Sequence, residues 1–370
     1  MSDAIARCEI QKIRMPAGRR IGDNMCWYEH YNVCVLRLTT RDGLEGWGFG
    51  EKSSGGSFAK EASWNRPMPA VEEVRQRYER EFAPLLTGES AFSAIHRVEA
   101  PWRCDDYLAN AIRFALWDLA AQSAGLPLFR YLGAPESRNR VMAYASACEF
   151  HMPLDWVCDF YRAKVREGFR AVKMKVGHPD PAVDIERLCG VREAIGSQIG
   201  LAADANKAWT AGQTLDRMRT FKEAGVPLDY IEDPIPPDDL DGFRQLAKEA
   251  EFRIVAHDYI NDPTKLRPLL ETGAVWKLRF RDGVDYALAA APLAAEFGIG
   301  AIFCNTFCEV GIHAACALPC VERMEFADLA WNALIECPVR FEDGHMLAPQ
   351  RPGHGFVPRA DRLEEWKAND

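Results

Sequence analysis

Six charged residues recur at intervals that would let them act together. Lys173 and Lys175 stand two apart in AVKMK, Asp204 ends GLAAD, Glu232 opens Glu-Asp-Pro, Asp258 follows His257, and Lys277 lies in VWKLRF. Lys175 to Asp204 is 29 residues, Asp204 to Glu232 is 28, and Glu232 to Asp258 is 26. Each step is the length of one strand-and-helix unit, which places the three acids at the ends of adjacent parallel strands, at one level. Carboxylates converging in a barrel mouth repel one another unless a cation neutralises them. An all-oxygen ligand set suits Mg²⁺ and leaves coordination positions for water and substrate. One acid at a strand end is commonly no more than a helix N-cap; three in register, flanked by lysines, call for another explanation.

The lysines supply the other half of the chemistry. Lys173 and Lys175 point to the same side of their strand, and a lysine pointing into a barrel is costly unless paired or functional. Lys277 falls four strands further round, opposite Lys175 in an eight-stranded ring, unless it is a surface lysine misread by one position. A lysine on each face of a metal-bound substrate is the layout for removing and returning protons, and a nearby Mg²⁺ and like charge should lower a lysine's pKa towards neutrality. Asn206, His257, Asn305 and Glu336 are the remaining polar residues at strand ends.

Elements must position these groups. Asn32–Thr40 alternates apolar and polar residues as a strand does, Asp42-Gly43 marks a hairpin turn, and Leu44–Glu51 returns. Pro69–Leu86 reads as a helix, and so does Asp105–Ala124, with Asp105 as N-cap and Gly125 as its stop. From Val141 onwards, apolar runs alternate with helical patterns. The runs are Val141–Ala147, Ala171–Val176, Gly200–Ala203, Leu228–Ile231, Arg253–Ala256, Ala274–Leu278, Gly300–Phe303 and Asn332–Ile335, the last followed by a Pro- and Gly-rich tail in place of a helix. Eight such units predict an α/β fold closed into a barrel.

The chain has 370 residues, 48% of them apolar and 27% charged, with a formal net charge of −9. That charge, with no basic stripe, argues against a nucleic-acid partner. Met1–Arg14 carries scattered charges and does not read as a signal peptide, and no run approaches the roughly 18 apolar residues of a membrane span. None of the 12 cysteines forms a Cys-x-x-Cys pair, and several lie in apolar runs. Buried thiols in a reducing cytoplasm fit better than a disulfide framework.

These residues carry a resemblance to the mandelate racemase and muconate lactonizing enzyme branch of the enolase superfamily. Gly46-Trp47-Gly48 resembles its capping-domain hairpin, and Asn110–Gly133 the helix leading into its barrel. Lys173-Met174-Lys175, Asp204-Ala205-Asn206 and Glu232-Asp233-Pro234 resemble its catalytic and metal motifs. The resemblance implies a modified TIM barrel, (β/α)7β, with an α+β capping domain: residues 1–135 as cap, 136–344 as barrel, and the tail 345–370 returning to the cap. It implies Mg²⁺ stabilising an enediolate, the pattern by which this superfamily is generally described. Asp204, Glu232 and Asp258 would be the metal ligands, Lys175 and Lys277 the two bases, and Lys173 a contact to the substrate carboxylate that tunes Lys175. Glu336 matches the place of an acid that hydrogen-bonds the substrate, or is a structural acid at a strand end. Asn305 stands where some members keep a catalytic His, which favours the two-lysine mechanism. His257 is either a substrate contact or a residue behind the ligands. Specificity would come from the loops Arg19–His30 and Ser53–Ser57. There Trp27, Glu29 and His30 would meet a polar or cationic substrate, or else pack on the barrel rim.

The expectation is an isomerase, racemising or epimerising a small carboxylic acid by α-proton abstraction. A dehydratase eliminating water from a hydroxy or sugar acid is the alternative, then a cycloisomerase. A small-molecule carboxylate partner, no nucleic acid or membrane, a cytoplasmic location and a homo-oligomer complete the expectation.

Overall fold

A computed structural model describes residues 3–25, 27–51, 68–99, 106–257, 260, 262–280, 283–304, 308–327 and 331–368. Asp258, Asn305 and the loop 53–57 lie outside the described residues.

The chain opens with a three-stranded antiparallel sheet of β1 (Ile5–Gly22), β2 (Trp27–Thr40) and β3 (Glu45–Glu51). β2 and β3 turn at Asp42-Gly43, with Gly43 at φ +89° as a tight hairpin needs. Arg19–His30, expected as a loop, is mostly ribbon: β1 and β2 pair up to Gly22 opposite Trp27, with Asp23–Met25 at the tip. The predicted helix Pro69–Leu86 is two helices, Val71–Glu81 and Ala83–Leu86, parted at Phe82. Pro84 has no N–H to give the preceding turn, which ends the first helix there. Helix Tyr107–Ser123 is capped by Asp106, whose carboxylate accepts from the backbone N–H of Leu108 (2.9 Å) and Ala109 (3.3 Å). The cap therefore lies one residue beyond the expected Asp105. This helix packs directly on β3, where a side chain at Gly46, Gly48 or Gly50 would strike the backbone of Ala115, Ala111 or Tyr107.

Eight parallel strands then close a barrel: β4 (Arg140–Ala145), β5 (Ala171–Lys175), β6 (Gly200–Asp204), β7 (Ile231–Glu232), β8 (Ile254–Ala256), β9 (Val275–Phe280), β10 (Gly300–Phe303) and β11 (Val321–Phe326), with β11 pairing back to β4. Seven helices alternate with the strands, the fifth only a four-residue turn at Arg267–Leu270 and the seventh Ile312–Ala317. The last barrel strand is Val321–Phe326, not the expected Asn332–Ile335, and Trp331–Leu334 is one helical turn. Inside the barrel, Tyr144, Ala171, Ala202, Tyr230, Val255 and Ile302 form an apolar floor. The larger core fills the space between barrel and helices.

After β12 (Arg340–Glu342) and β13 (His345–Leu347), which hairpin onto β4, the tail returns to the first sheet. Trp366 O accepts from Arg14 N (2.8 Å), and Ala368 N donates to Lys12 O (3.0 Å). Asp118 ties tail to sheet, accepting from Trp47 N (3.0 Å) and His354 N (2.7 Å). The described cysteines are free thiols. No helix among the described residues is long and apolar enough to cross a membrane.

Candidate active site

Strand alternation carries the inward residues of β5 from Ala171 on the floor through Lys173 to Lys175 at the C-terminal rim. The neighbours are in register: Lys175 pairs with Asp204, and Asp204 with Glu232. The result is a fully buried ion cluster. Lys173 Nζ lies 2.7 Å from Glu232 Oε1, 3.2 Å from Glu325 Oε1 and 3.7 Å from Asp204 Oδ2. Lys175 Nζ donates to Asp204 Oδ2 (2.7 Å) and to Asn206 Oδ1 (2.9 Å). Asn206 N in turn donates to Asp204 Oδ1 (3.0 Å). Glu149, completely buried beyond the end of β4, accepts from Lys175 N at 2.6 Å and so fixes the backbone that carries the lysine.

Burial alone would push the Lys175 ammonium towards neutrality, but the Asp204 carboxylate overrides it and the net shift is upwards. Conversely, burial would raise the Asp204 carboxyl, and Lys175 and Lys173 pull it well below the usual carboxylate range. Among these groups Lys175 is therefore held charged. A cation taking up the charge of Asp204 would relax this hold.

Asp204, Glu232 and Asp233 each offer an oxygen within 4.8 Å of the others, and all three are buried. Glu232 Oε2 is buried and accepts no hydrogen bond, leaving a carboxylate lone pair directed at no donor. An all-oxygen donor set with an unfilled carboxylate oxygen fits a hard divalent cation. Asp233 did not stand out in the sequence beyond the Glu-Asp-Pro motif. Its φ of +44° and its place beside His257, 3.4 Å from Nδ1, bring its carboxylate to the cluster. His257 is wholly buried, with Nε2 3.0 Å from Ile235 O, and burial pushes its pKa down to about 4. A neutral imidazole behind the carboxylates is the result.

Arg279 and Glu325 join the cluster unforeseen, while Glu336 and Lys277 lie elsewhere. Arg279, on β9, is 1% exposed and reaches the centre of the cluster. Its guanidinium pairs with Glu232 through Nη1, lies 3.6 Å from Asp204 Oδ2, meets Glu325 Oε2 at 3.1 Å and donates to Cys304 Sγ at 2.6 Å. Glu325 comes from β11, the strand misplaced in the sequence reading. Glu336 is exposed beyond the helical turn and bonded through its backbone N–H to Val357 O. Lys277 does not face Lys175. It pairs with Glu322, packs over the Trp276 ring at 4.1 Å and stands level with Gly300, the first residue of β10, at the N-terminal end of the strands. Two residues further along the same strand, Arg279 occupies the position opposite Lys175.

The cap reaches the rim through the β1–β2 tip. Gly22 N donates to Cys148 O (2.8 Å), Arg19 Nη2 to Ala147 O (2.9 Å) and Asn24 Nδ2 to Ala205 O (3.3 Å). Asp23, 7% exposed, acts electrostatically on Lys175. Trp27 and Glu29 instead engage Arg20 on the ribbon surface: the guanidinium stacks 4.1 Å from the Trp27 ring, and Glu29 lies 3.6 Å from it. His30 is partly exposed opposite Pro16.

Known proteins share this fold. Residues 157–362 match the family described as enolase C-terminal domain-like, and residues 25–133 the mandelate racemase / muconate lactonizing enzyme N-terminal domain. The chain is 30% identical over 345 residues to the L-talarate/galactarate dehydratase of Salmonella typhimurium, covering 90% of this chain and 82% of that protein. A mandelate racemase-like protein of Mesorhizobium loti superposes with a TM-score of 0.89 at 34% identity, over 99% of this chain and 95% of the other. The L-talarate dehydratase of Polaromonas sp. JS666, solved with Mg and L-glucarate, gives 0.80 at 26% identity, over 100% of this chain and 98% of the other. Other relatives are named as cycloisomerases and epimerases.

Proposed function

Because this chain belongs to the mandelate racemase / muconate lactonizing enzyme family of the enolase superfamily, we propose that it is a Mg²⁺-dependent lyase that removes water from a polyhydroxy carboxylic acid, with Lys175 as the base that takes the α-proton. Asp204 and Glu232 would hold the cation, with a third carboxylate from Asp233 or Asp258. When bound, the metal would offset the charge that grows on the substrate carboxylate as the proton leaves, a task a lone base cannot manage.

The observation that carries the choice of reaction is Arg279. Racemisation needs a second group across the substrate that can hold and give up a proton. Lys277, two residues back on β9, is paired with Glu322, and the place opposite Lys175 holds a guanidinium, which stays protonated at any working pH. Dehydration needs no second base. Lys175 takes the proton from the α-carbon, the β C–O bond breaks, and the ammonium returns that proton to the departing hydroxide on the same face. The enol left behind tautomerises to a 2-keto-3-deoxy acid. Lys173 keeps Glu232 and Glu325 paired, Asn206 and Glu149 aim Lys175, and Asp23 and Asn24 of the tip cover the rim beside it. That covering supports residues 1–135 with the tail 345–370 as cap and 136–344 as barrel. The 30% identity to a talarate/galactarate dehydratase over most of the chain supports the same choice.

Proton NMR in D₂O with Mg²⁺ tests it, on a panel of mono- and di-acid sugars, dipeptides and N-acyl amino acids. Loss of the α-proton with growth of a 2-keto-3-deoxy product supports the proposal. α-Deuteration with inversion and no loss of water on any panel member would replace it with the epimerase reading.

A further inference from the structure

The carboxylates assigned to the metal already carry protein cations: Lys173, Lys175 and Arg279 are buried against Asp204, Glu232 and Glu325. The two lysines come from β5, on one side of the acids. Arg279 comes from β9, on the far side, and its guanidinium bears on the two carboxylates assigned to the metal: paired with Glu232 Oε1 and 3.6 Å from Asp204 Oδ2. A dication bound by Asp204 and Glu232 would meet the Arg279 guanidinium at close range in a space closed to water, a repulsion relieved if the guanidinium withdraws. Arg279 has somewhere to go, because Glu325 Oε2 already sits 3.1 Å from its Nη2, away from Glu232.

We propose that Arg279 and the divalent cation compete for Asp204 and Glu232: the guanidinium is the counter-ion of the ion-free site, and metal binding drives it off Glu232 onto Glu325. Arg279 thus sets how tightly the metal is held, and its discharge from Glu232 leaves a fixed cation facing the substrate. The inference rests on the metal reading above, yet it is separable from the choice of reaction.

Two measurements decide it without any substrate. The first is calorimetric titration of EDTA-treated protein with MgCl₂. Arg279→Gln should bind Mg²⁺ about tenfold or more tightly than the parent, the effect of removing one competing charge. Arg279→Lys, which keeps the charge, should stay within about threefold. Unchanged or weaker binding in Arg279→Gln would overturn the proposal. The second needs no variant and so cannot be lost to misfolding: a crystal structure of the parent protein soaked with MgCl₂. The guanidinium should have left Glu232. An ion on Asp204 and Glu232 with Arg279 still paired to Glu232 would overturn the competition while leaving the metal site intact. No ion at those carboxylates would instead sink the metal reading and this inference together.

Discussion

Lys173 is 1% exposed and touches Asp204, Glu232 and Glu325. Removing one partner from a buried ion cluster leaves charges that water cannot reach. Lys173→Met should therefore lower the unfolding free energy by about 3–5 kcal/mol in urea denaturation. The double variant Lys173→Met/Glu325→Gln should recover part of that loss, because it removes the charge left over; equal losses for the single and double variants would contradict the cluster account. At this scale the sequence showed where Lys173, Lys175, Asp204 and Glu232 would meet, since residues of one register position follow from strand spacing alone. Arg279 was invisible for a physical reason. On a strand carrying both Lys277 and Arg279, spacing does not tell which cation faces inward at the rim; the phase of the strand within the barrel does. Asp23 escaped for another reason, being brought beside Lys175 by a hairpin tip from a different part of the chain.

Elements were legible where their inward faces are apolar and hard to read where those faces do chemistry. β5, β6, β8, β9 and β10 overlap runs that the apolar pattern identifies, and β7 meets its run Leu228–Ile231 only at Ile231. β11 reads Val-Glu-Arg-Met-Glu-Phe, a strand whose inward side carries Glu325 because that side must answer Lys173 and Arg279. Its charges hid it, and the apolar Trp331–Leu334 turn stood in its place. β1 is similarly broken by Lys12, Arg14, Arg19 and Arg20 on its partly exposed side. The cap makes a sharper prediction. At Gly48 of β3, a Cβ would strike the carbonyl of Ala111 in helix Tyr107–Ser123, and backbone cannot step aside as a flexible side chain would. Gly48→Ala should lower stability by about 3 kcal/mol, read as a fall in Tm with the far-UV circular dichroism retained. A Tm equal to the parent's would mean that sheet and helix are not in this close contact.

At the scale of the whole molecule, the buried imidazole of His313 bridges parts distant in sequence. His313 accepts from Phe129 N at Nδ1 (3.1 Å), and its Nε2 meets His354 O in the returning tail (2.8 Å). The ring is completely buried, which pushes its pKa down to about 3. A depressed folded-state value means the unfolded chain takes up the proton first. His313 therefore gives its full stability above the unfolded pKa near 6.5, and that contribution drains as pH falls from about 6.5 towards 3. Between pH 7 and pH 5 the loss from this group should be about 2 kcal/mol. His313→Gln, compared with the parent by urea unfolding at both pH values, should be less stable at pH 7 yet lose less on acidification; parallel losses would rule out His313 as the titrating group. No local pattern in the sequence points to this bridge, because its partners are 184 and 41 residues away.

The account stands or falls on Lys175 acting at the rim without Lys277. On the substrate found by NMR, turnover with saturating Mg²⁺ should be compared for the parent, Lys175→Ala and Lys277→Ala. Lys175→Ala should lose roughly 10²–10⁴-fold in kcat, the usual worth of a positioned base, and should no longer release the α-proton. Lys277→Ala should keep kcat within about threefold, since its partner is Glu322 and not the substrate. A loss in Lys277→Ala as deep as in Lys175→Ala would contradict the single-base account and restore the two-lysine isomerase.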